Sequence, residues 1–142
     1  MKKIVSLAIA GFLALGLGAC GTGGNDGQQD GDSQQVYKDG IYEGAAEPWD
    51  HGAESATVEI ADGKIKSIVL KRLDTDGVEV DYEDWKGQEI DGRLYPDLNK
   101  YRTDMANDII KKQSYDVDTI SGATTTTKNW KVSVQKALEK AR

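Results

Sequence analysis

The segment DTISGATTTT, residues 118–127, places four consecutive threonine hydroxyls directly after a turn of small residues. A hydroxyl that follows flexible Gly122 and small Ala123, and that precedes a helix, lies where free backbone N–H groups can reach a ligand. The dipole of such a helix also favours negative charge at this point. The residue types and their order therefore predict a phosphate site that contains a nucleophile.

A helix is expected immediately after this segment, from about residue 127 to residue 141. Its apolar residues repeat at helical spacing, at Trp130, Val134, Ala137 or Leu138, and Ala141. Thr126 or Thr127 is expected to cap the helix by accepting a backbone N–H bond. Capping does not account for Thr124 and Thr125, which leaves these two hydroxyls for the phosphate site.

The motif DTISGAT resembles the Asp-x-x-Ser/Thr-Gly-Ala-Thr signature of the FMN-binding domain family. That family includes flavin subunits of sodium-pumping and related membrane electron-transfer complexes, and many small bacterial lipoproteins. In it, a Mg²⁺-dependent transferase moves FMN from FAD onto the last threonine of the signature through a phosphoester. The resemblance implies that Thr124 carries covalent FMN, with Thr125 as the next candidate. The recognition and phosphate-binding turn that it implies comprises Asp118, Ser121, Gly122 and Ala123.

The resemblance extends beyond the motif to about residues 37–142. The segments DGIYEGAA, TVEIADGKIKSIVL and IIKKQSYDVDTISGATTTT are similar to the family's opening strand, hairpin and final helix-turn-helix segment. Family members often have Glu-Thr-Pro-Gly beside the isoalloxazine ring. The resemblance implies flavin contacts at Asp74, Thr75 and Gly77, although this chain departs from the family pattern by having DTDG there. Trp49 and Trp130 could cover the flavin by stacking, although the helical spacing of Trp130 equally fits a core residue.

The elements that position the motif are predicted to form one α+β domain over residues 37–142. Apolar residues alternate on both sides of Asp62-Gly63, a pair that favours a tight antiparallel hairpin. They are Ala56, Val58 and Ile60 before the turn, and Ile65, Ile68 and Leu70 after it. A further amphipathic helix is predicted where apolar residues recur three and four apart, at Leu98, Tyr101, Met105 and Ile109. We therefore expect a small antiparallel sheet packed by two or more helices.

Residues 74–97 are rich in acidic residues and glycine and have no steady period, which predicts a solvated loop or an irregular hairpin. This segment lacks the glycine and glutamate spacing of a calcium-binding EF-hand loop. With His51 as its one histidine and Cys20 as its one cysteine, the chain has too few ligands for structural zinc. A lone histidine also fits poorly with a Ser-His-Asp or Cys-His catalytic group, so we assign no catalytic residue and no metal ligand.

Residues 1–19 contain two lysines, an apolar run and a small-residue end, which is the pattern of a secretory signal peptide. The sequence LGAC, which ends at Cys20, resembles the bacterial lipobox and implies cleavage before the cysteine and lipidation of its sulfur and new amino terminus. Gly, Gln, Asp and Asn dominate the following residues, so 20–36 is expected to be a lipidated, flexible tether. Its r.m.s. span is roughly 20–24 Å, which keeps the domain near the membrane.

The charge of the chain limits its partners. Without residues 1–19, 16 basic residues face 24 acidic ones, which gives a net charge of about −8. Nucleic acid is not an expected partner, because binding it requires basic contacts to phosphates. Acidic protein also adheres poorly to an anionic membrane, which leaves the lipid as the anchor on the extracytoplasmic face of the cell membrane.

These features together predict a membrane-tethered flavoprotein that relays electrons between membrane redox partners and external acceptors. Its expected partners are the FAD-dependent FMN transferase and either membrane electron-transfer proteins or the quinone pool. The cofactor carries the chemistry, and the protein supplies position and electrostatics. Two alternatives are a dedicated flavin-dependent reductase of a small molecule and a non-redox binding lipoprotein, which would be colourless when purified.

Overall fold

The computed structural model describes residues 36–142, so the signal sequence, Cys20 and nearly all of the tether predicted for 20–36 lie outside the described residues. The strands are β1 (Gly40–Ala45), β2 (Ala53–Ala61), β3 (Lys64–Leu73), β4 (Gln88–Ile90) and β5 (Arg93–Tyr95). The α-helices are α1 (Leu98–Lys112) and α2 (Thr124–Lys140), and a short 3₁₀ helix spans Tyr82–Asp84. The first three strands form an antiparallel sheet in the order β1-β2-β3, and β4 pairs with β5. This is the α+β fold predicted from the sequence.

The β2–β3 hairpin turns at Asp62-Gly63, as predicted. Asp62 has φ 53° and Gly63 has φ 72°, the left-handed values that a two-residue hairpin turn requires at both positions. Ile60 pairs with Ile65, but the next pair is Glu59 with Ser67, so Lys66 is the extra residue of a β-bulge. This bulge explains why buried residues 65 and 68 are three apart on a strand and still face the same side.

Both helices pack against the sheet, α2 on β1 and β2, and α1 on β3. The core between them is built from the alternating strand residues and from the apolar stripes of the helices. Its larger members are Val58, Ile60, Ile65, Leu70, Leu98, Met105, Ile109, Trp130, Val134 and Leu138. The approach of α2 to β1 is close, since a Cβ added to Gly44 would lie 2.0 Å from the carbonyl oxygen of Ser133.

Helix α1 is capped and anchored at its two ends. The Asp97 carboxylate accepts a hydrogen bond from the Lys100 N–H at 2.9 Å at the first turn. At the other end, Gln113 has a left-handed backbone with φ 55°. Its side chain accepts from the Ile65 N–H and donates to the Ile65 carbonyl, at 2.8 and 2.9 Å. These two bonds fix the end of α1 to the start of β3.

The acidic segment between β3 and α1 contains a second small hairpin within the region predicted to be a loop or an irregular hairpin. Strands β4 and β5 join at Asp91 and Gly92, whose φ values are 51° and 76°. Trp85 and Tyr95 pack edge to face, with ring centroids 4.8 Å apart. Among residues 36–142, no helix is long and apolar enough to cross a membrane.

Candidate functional site: a cleft at the start of α2

Helix α2 begins at Thr124, three residues before the predicted start. Its N-cap is Ala123, and no side chain makes a capping hydrogen bond. The prediction that Thr126 or Thr127 caps the helix is wrong, because both lie inside the helix and are buried. The Thr127 hydroxyl instead donates to the Ala123 carbonyl at 2.9 Å and accepts from the Ile120 N–H at 3.2 Å. The first-turn N–H groups are therefore left without a side-chain partner.

A cleft of about 390 Å³ opens at this helix start. Its wall at the helix is made by the end of the small-residue turn and the first three threonines of α2. The residues that line this side are Gly122, Ala123, Thr124, Thr125 and Thr126. Gly122 has φ 88°, and a Cβ built on it would meet nothing within 4 Å, so the turn is open to a ligand. Thr124 and Thr125 are exposed to solvent.

The opposite side of the cleft is aromatic, apolar and cationic. It is lined by Trp49, His51, Arg72, Trp85, Arg93, Leu94 and Pro96. Trp49 is held by a reciprocal backbone pair with Gly52, at 2.8 and 2.9 Å. Its indole ring meets the His51 imidazole edge to face, with centroids 5.0 Å apart. The short β4–β5 hairpin brings Arg93 and Leu94 to the cleft, and the loop before it brings Trp85.

A buried ion pair lies behind the aromatic side. Arg72 Nη1 donates to Glu54 Oε1 at 2.9 Å, and Glu54 and Arg72 are 0% and 3% exposed. The carboxylate also accepts from Trp49 Nε1 at 3.1 Å and from Asn129 Nδ2 at 2.7 Å. Arg72 Nη2 donates to the His51 carbonyl at 2.5 Å. These bonds connect β2, β3, α2 and the loop that carries Trp49.

The surroundings of Arg72 act on its pKa in opposite directions. Desolvation by burial lowers the pKa of the guanidinium, and the neighbouring Glu54 carboxylate opposes that shift. An arginine guanidinium nevertheless stays charged in proteins. Among the buried side-chain polar atoms of the described residues, Arg72 Nε is the one without a hydrogen-bond partner. A protonated side chain with an unsatisfied donor therefore forms part of the cleft wall.

The motif residues do not all reach the cleft. Gly122, Ala123, Thr124 and Thr125 line it, as does Trp49 from the opposite side. Ser121 is exposed in the turn and is not among the lining residues. Asp118 is exposed and lines a different cavity of about 380 Å³, together with Asp108, Lys111, Lys112 and Val117.

Asp74, Thr75, Gly77 and Trp130, the other residues expected to contact flavin, lie elsewhere. Trp130 is 0% exposed and donates its indole N–H to the Lys71 carbonyl at 3.0 Å, so it is a core residue without an accessible face. Thr75 and Gly77 lie in an exposed turn after β3 and are not among the residues that line the cleft. The Asp74 carboxylate stabilises that turn by accepting from the N–H groups of residues 76 and 78, both at 2.9 Å.

Sequence reasoning did not identify Arg72, Trp85, Arg93, Leu94 or Pro96 as cleft residues. A signal was present for the hairpin, because EIDGRL contains the same Asp-Gly pair that marks the longer hairpin. Arg72 also stands in phase with buried Ile68 and Leu70 on β3. Among the described residues, no group of three or more His, Cys, Asp or Glu side chains is arranged to hold a metal ion.

The sequence matches the model of the FMN-binding domain over residues 51–139. The chain belongs to the FMN-binding domain family. A protein of Clostridium perfringens, known from a crystal structure, is 27% identical with a TM-score of 0.60, and the match covers 75% of this chain and 89% of that one. A protein of Clostridium thermocellum, known from a solution NMR structure, is 25% identical with a TM-score of 0.53, over 74% and 92% of the two chains. No curated protein sequence matches the chain significantly.

The cleft fits the FMN that this family binds. Its volume of about 390 Å³ lies within the range of pockets that hold small molecules. The uncapped start of α2 suits the phosphate, because it offers free N–H groups at the positive end of a helix dipole. Trp49, Trp85 and Leu94 suit the flat, apolar ring system. The cationic side chain of Arg72, which lines the cleft, suits a ligand that carries hydrogen-bond acceptors.

Proposed function

We propose that this flavoprotein carries FMN covalently on Thr124 and relays electrons between membrane redox partners and external acceptors. The observation that supports the proposal best is the position of Thr124. It is the first residue of α2, it is exposed, and it lines the cleft opposite the tryptophans. A phosphoester at its hydroxyl keeps the phosphate at the helix N-terminus and leaves the cofactor room to extend into the cleft.

The protein groups around the cleft bind and orient the cofactor. FMN supplies the one- and two-electron redox chemistry when it is bound. The first-turn N–H groups of α2 bind the phosphate, and Gly122 leaves the approach to it open. Trp49 and Trp85 provide aromatic surface that excludes water from one side of the ring system. A covalent link also prevents loss of a cofactor that could not be replaced outside the cell.

A location on the outer side of the cell membrane is part of the same proposal. It rests on the signal-like residues 1–19, the lipobox-like sequence at Cys20 and the flexible composition of residues 21–36. The tether would hold the domain within reach of membrane electron-transfer proteins or the quinone pool. The FAD-dependent FMN transferase is the partner that loads the protein.

The relay is favoured over a dedicated reductase by the few acid–base groups in the cleft. Of the described residues that line the cleft, only His51 has a side chain that commonly serves as a general acid or base. Asp50 is its neighbour, but it is exposed and does not line the cleft. A relay needs an accessible flavin edge and no proton donor of this kind.

The test is reoxidation of the reduced, flavin-loaded protein by several unrelated acceptors, followed by stopped flow. We expect Asp50→Asn and His51→Gln to leave the rates within a few-fold of the parent for soluble flavins, quinones and ferric chelates. A loss of about a hundredfold or more with one acceptor only is typical of removing a general acid or base. That outcome, with saturation by the same acceptor, would identify a reductase instead.

A further inference from the structure

In the ion pair of Glu54 and Arg72, the positively charged arginine lies nearer the cleft than the glutamate does. Arg72 lines the cleft, whereas Glu54 does not, although the two groups are 2.9 Å apart. The side chain of Arg72 is 4% exposed and that of Glu54 is 0% exposed, so water screens neither charge effectively. The pair is therefore a buried dipole whose positive end faces the ligand site.

Stability alone gives a weak reason for this pair. Replacing a buried ion pair by apolar residues of similar volume is often neutral or stabilising. The pair is also incompletely satisfied, because Nη1 and Nη2 of Arg72 have partners in Glu54 and the His51 carbonyl but Nε has none among the described atoms. Arg72 is thus a buried cation that lines the cleft and lacks a complete set of partners in the protein, which points to a role toward the ligand.

Arg72 belongs to the aromatic end of the cleft. Its guanidinium carbon lies 5.0 Å from the centroid of the Trp49 ring and 6.0 Å from that of Trp85. The phosphate end is fixed separately by Thr124 at the start of α2. FMN with its phosphate at Thr124 would have its isoalloxazine ring at the aromatic end, where the charge of Arg72 would act on the part of the cofactor that accepts electrons.

We propose that Arg72 sets the reduction potential of FMN in this cleft, with Glu54 as the counter-charge that moderates its effect. The inference rests on FMN occupying the cleft of Thr124. Reduction by two electrons from an external low-potential reductant, with one proton taken from solvent, adds one negative charge to the ring system. A buried cation beside the ring favours the form with that added charge, and does so more strongly than it would in water.

The test compares reduction potentials of the full-length, loaded protein, measured at equilibrium against reference dyes. Glu54→Gln removes the counter-charge and keeps the cation. At a fixed solution potential, we expect it to raise the ratio of reduced to oxidised FMN by at least about tenfold. This corresponds to a rise of about 30 mV in the reduction potential of a two-electron couple. The double variant Glu54→Gln with Arg72→Met removes both charges, and we expect it to lower the ratio at least tenfold relative to Glu54→Gln. The double variant is used because Arg72→Met alone would leave a buried, unpaired carboxylate.

The matched control is Lys66→Met, which removes an exposed cation from the same strand about 20 Å along it from Arg72. We expect this change to alter the ratio less than twofold.

Flavin fluorescence after denaturation is recorded for every variant first, so that a failure of covalent loading is seen separately from a failure to shift the potential. For a variant that is not loaded, free FMN is bound instead in its oxidised and its reduced form. The ratio of these two dissociation constants must then change by the factor that is expected for the ratio of reduced to oxidised FMN. A rise of less than about tenfold in Glu54→Gln, or a fall of less than about tenfold from Glu54→Gln to the double variant, would overturn the role of Arg72.

Discussion

Thr124 is the residue on which the proposed covalent attachment depends, because it offers an exposed hydroxyl at the uncapped start of α2. We predict that Thr124→Ala abolishes the flavin fluorescence that survives denaturing electrophoresis, since alanine cannot form the phosphoester. Thr125→Ala is the matched control, because Thr125 is also exposed and lines the same cleft. It is expected to retain fluorescence. The reverse pattern would move the attachment site to Thr125.

Gly122 to Thr125 on the motif side of the cleft, and Trp49 on the opposite side, could be predicted from sequence, whereas Arg72 and the residues of the β4–β5 hairpin could not. Gly122 to Thr125 are contiguous, so a local pattern was enough to bring them together. Arg72 reaches the cleft through the register of the β2–β3 hairpin, in which it pairs with Glu54. Without the bulge at Lys66, the turn at Asp62-Gly63 would have placed Lys71 opposite Glu54 and turned Arg72 to the other face. Sequence periodicity does not specify such a bulge.

At the scale of elements, the contact of α2 with β1 positions the start of α2. A Cβ at Gly44 would lie 2.0 Å from the Ser133 carbonyl oxygen and 2.7 Å from the Ala137 nitrogen. We predict that Gly44→Ala lowers the free energy of unfolding by about 1–3 kcal/mol, since backbone on both sides must move apart. Urea denaturation of the unloaded protein measures this change.

The control for this substitution is Ala45→Ser, at the exposed neighbouring position of β1. It is expected to change the free energy of unfolding by no more than about 0.5 kcal/mol, as surface substitutions usually do. A Gly44→Ala variant as stable as this control would mean that α2 is not held against β1 at this point.

The long hairpin and both helices followed from apolar spacing, because each has a continuous buried face. The sequence predicts the start of α2 three residues late, because the threonine run resembles a cap, whereas Thr127 bonds back to Ala123 within the helix. The β4–β5 hairpin was not resolved as such from sequence, because its strands have three residues each and no fully buried side chain to set a period. Its contribution of Arg93 and Leu94 to the cleft is a tertiary effect.

At the scale of the whole molecule, the proposed lipid anchor and the flavin domain are separate parts of the chain. Cys20 lies outside the described residues, and the domain that binds FMN begins after the predicted tether. We predict that Cys20→Ser releases the protein from the membrane fraction while its unfolding transition stays unchanged. The Thr124→Ala variant serves as the control and is expected to remain with the membranes. Retention of Cys20→Ser through a carbonate wash would mean that the apolar N-terminus itself is the anchor.

The central claim is that one FMN is bonded to Thr124, and intact-mass spectrometry tests it most directly. The protein is produced with the FAD-dependent FMN transferase, denatured, and weighed beside the same protein produced without the enzyme. We predict a mass increase of one FMN less one water, and fragmentation that assigns the added mass to Thr124. An unchanged mass with the active transferase, or added mass on any other residue, would contradict the account.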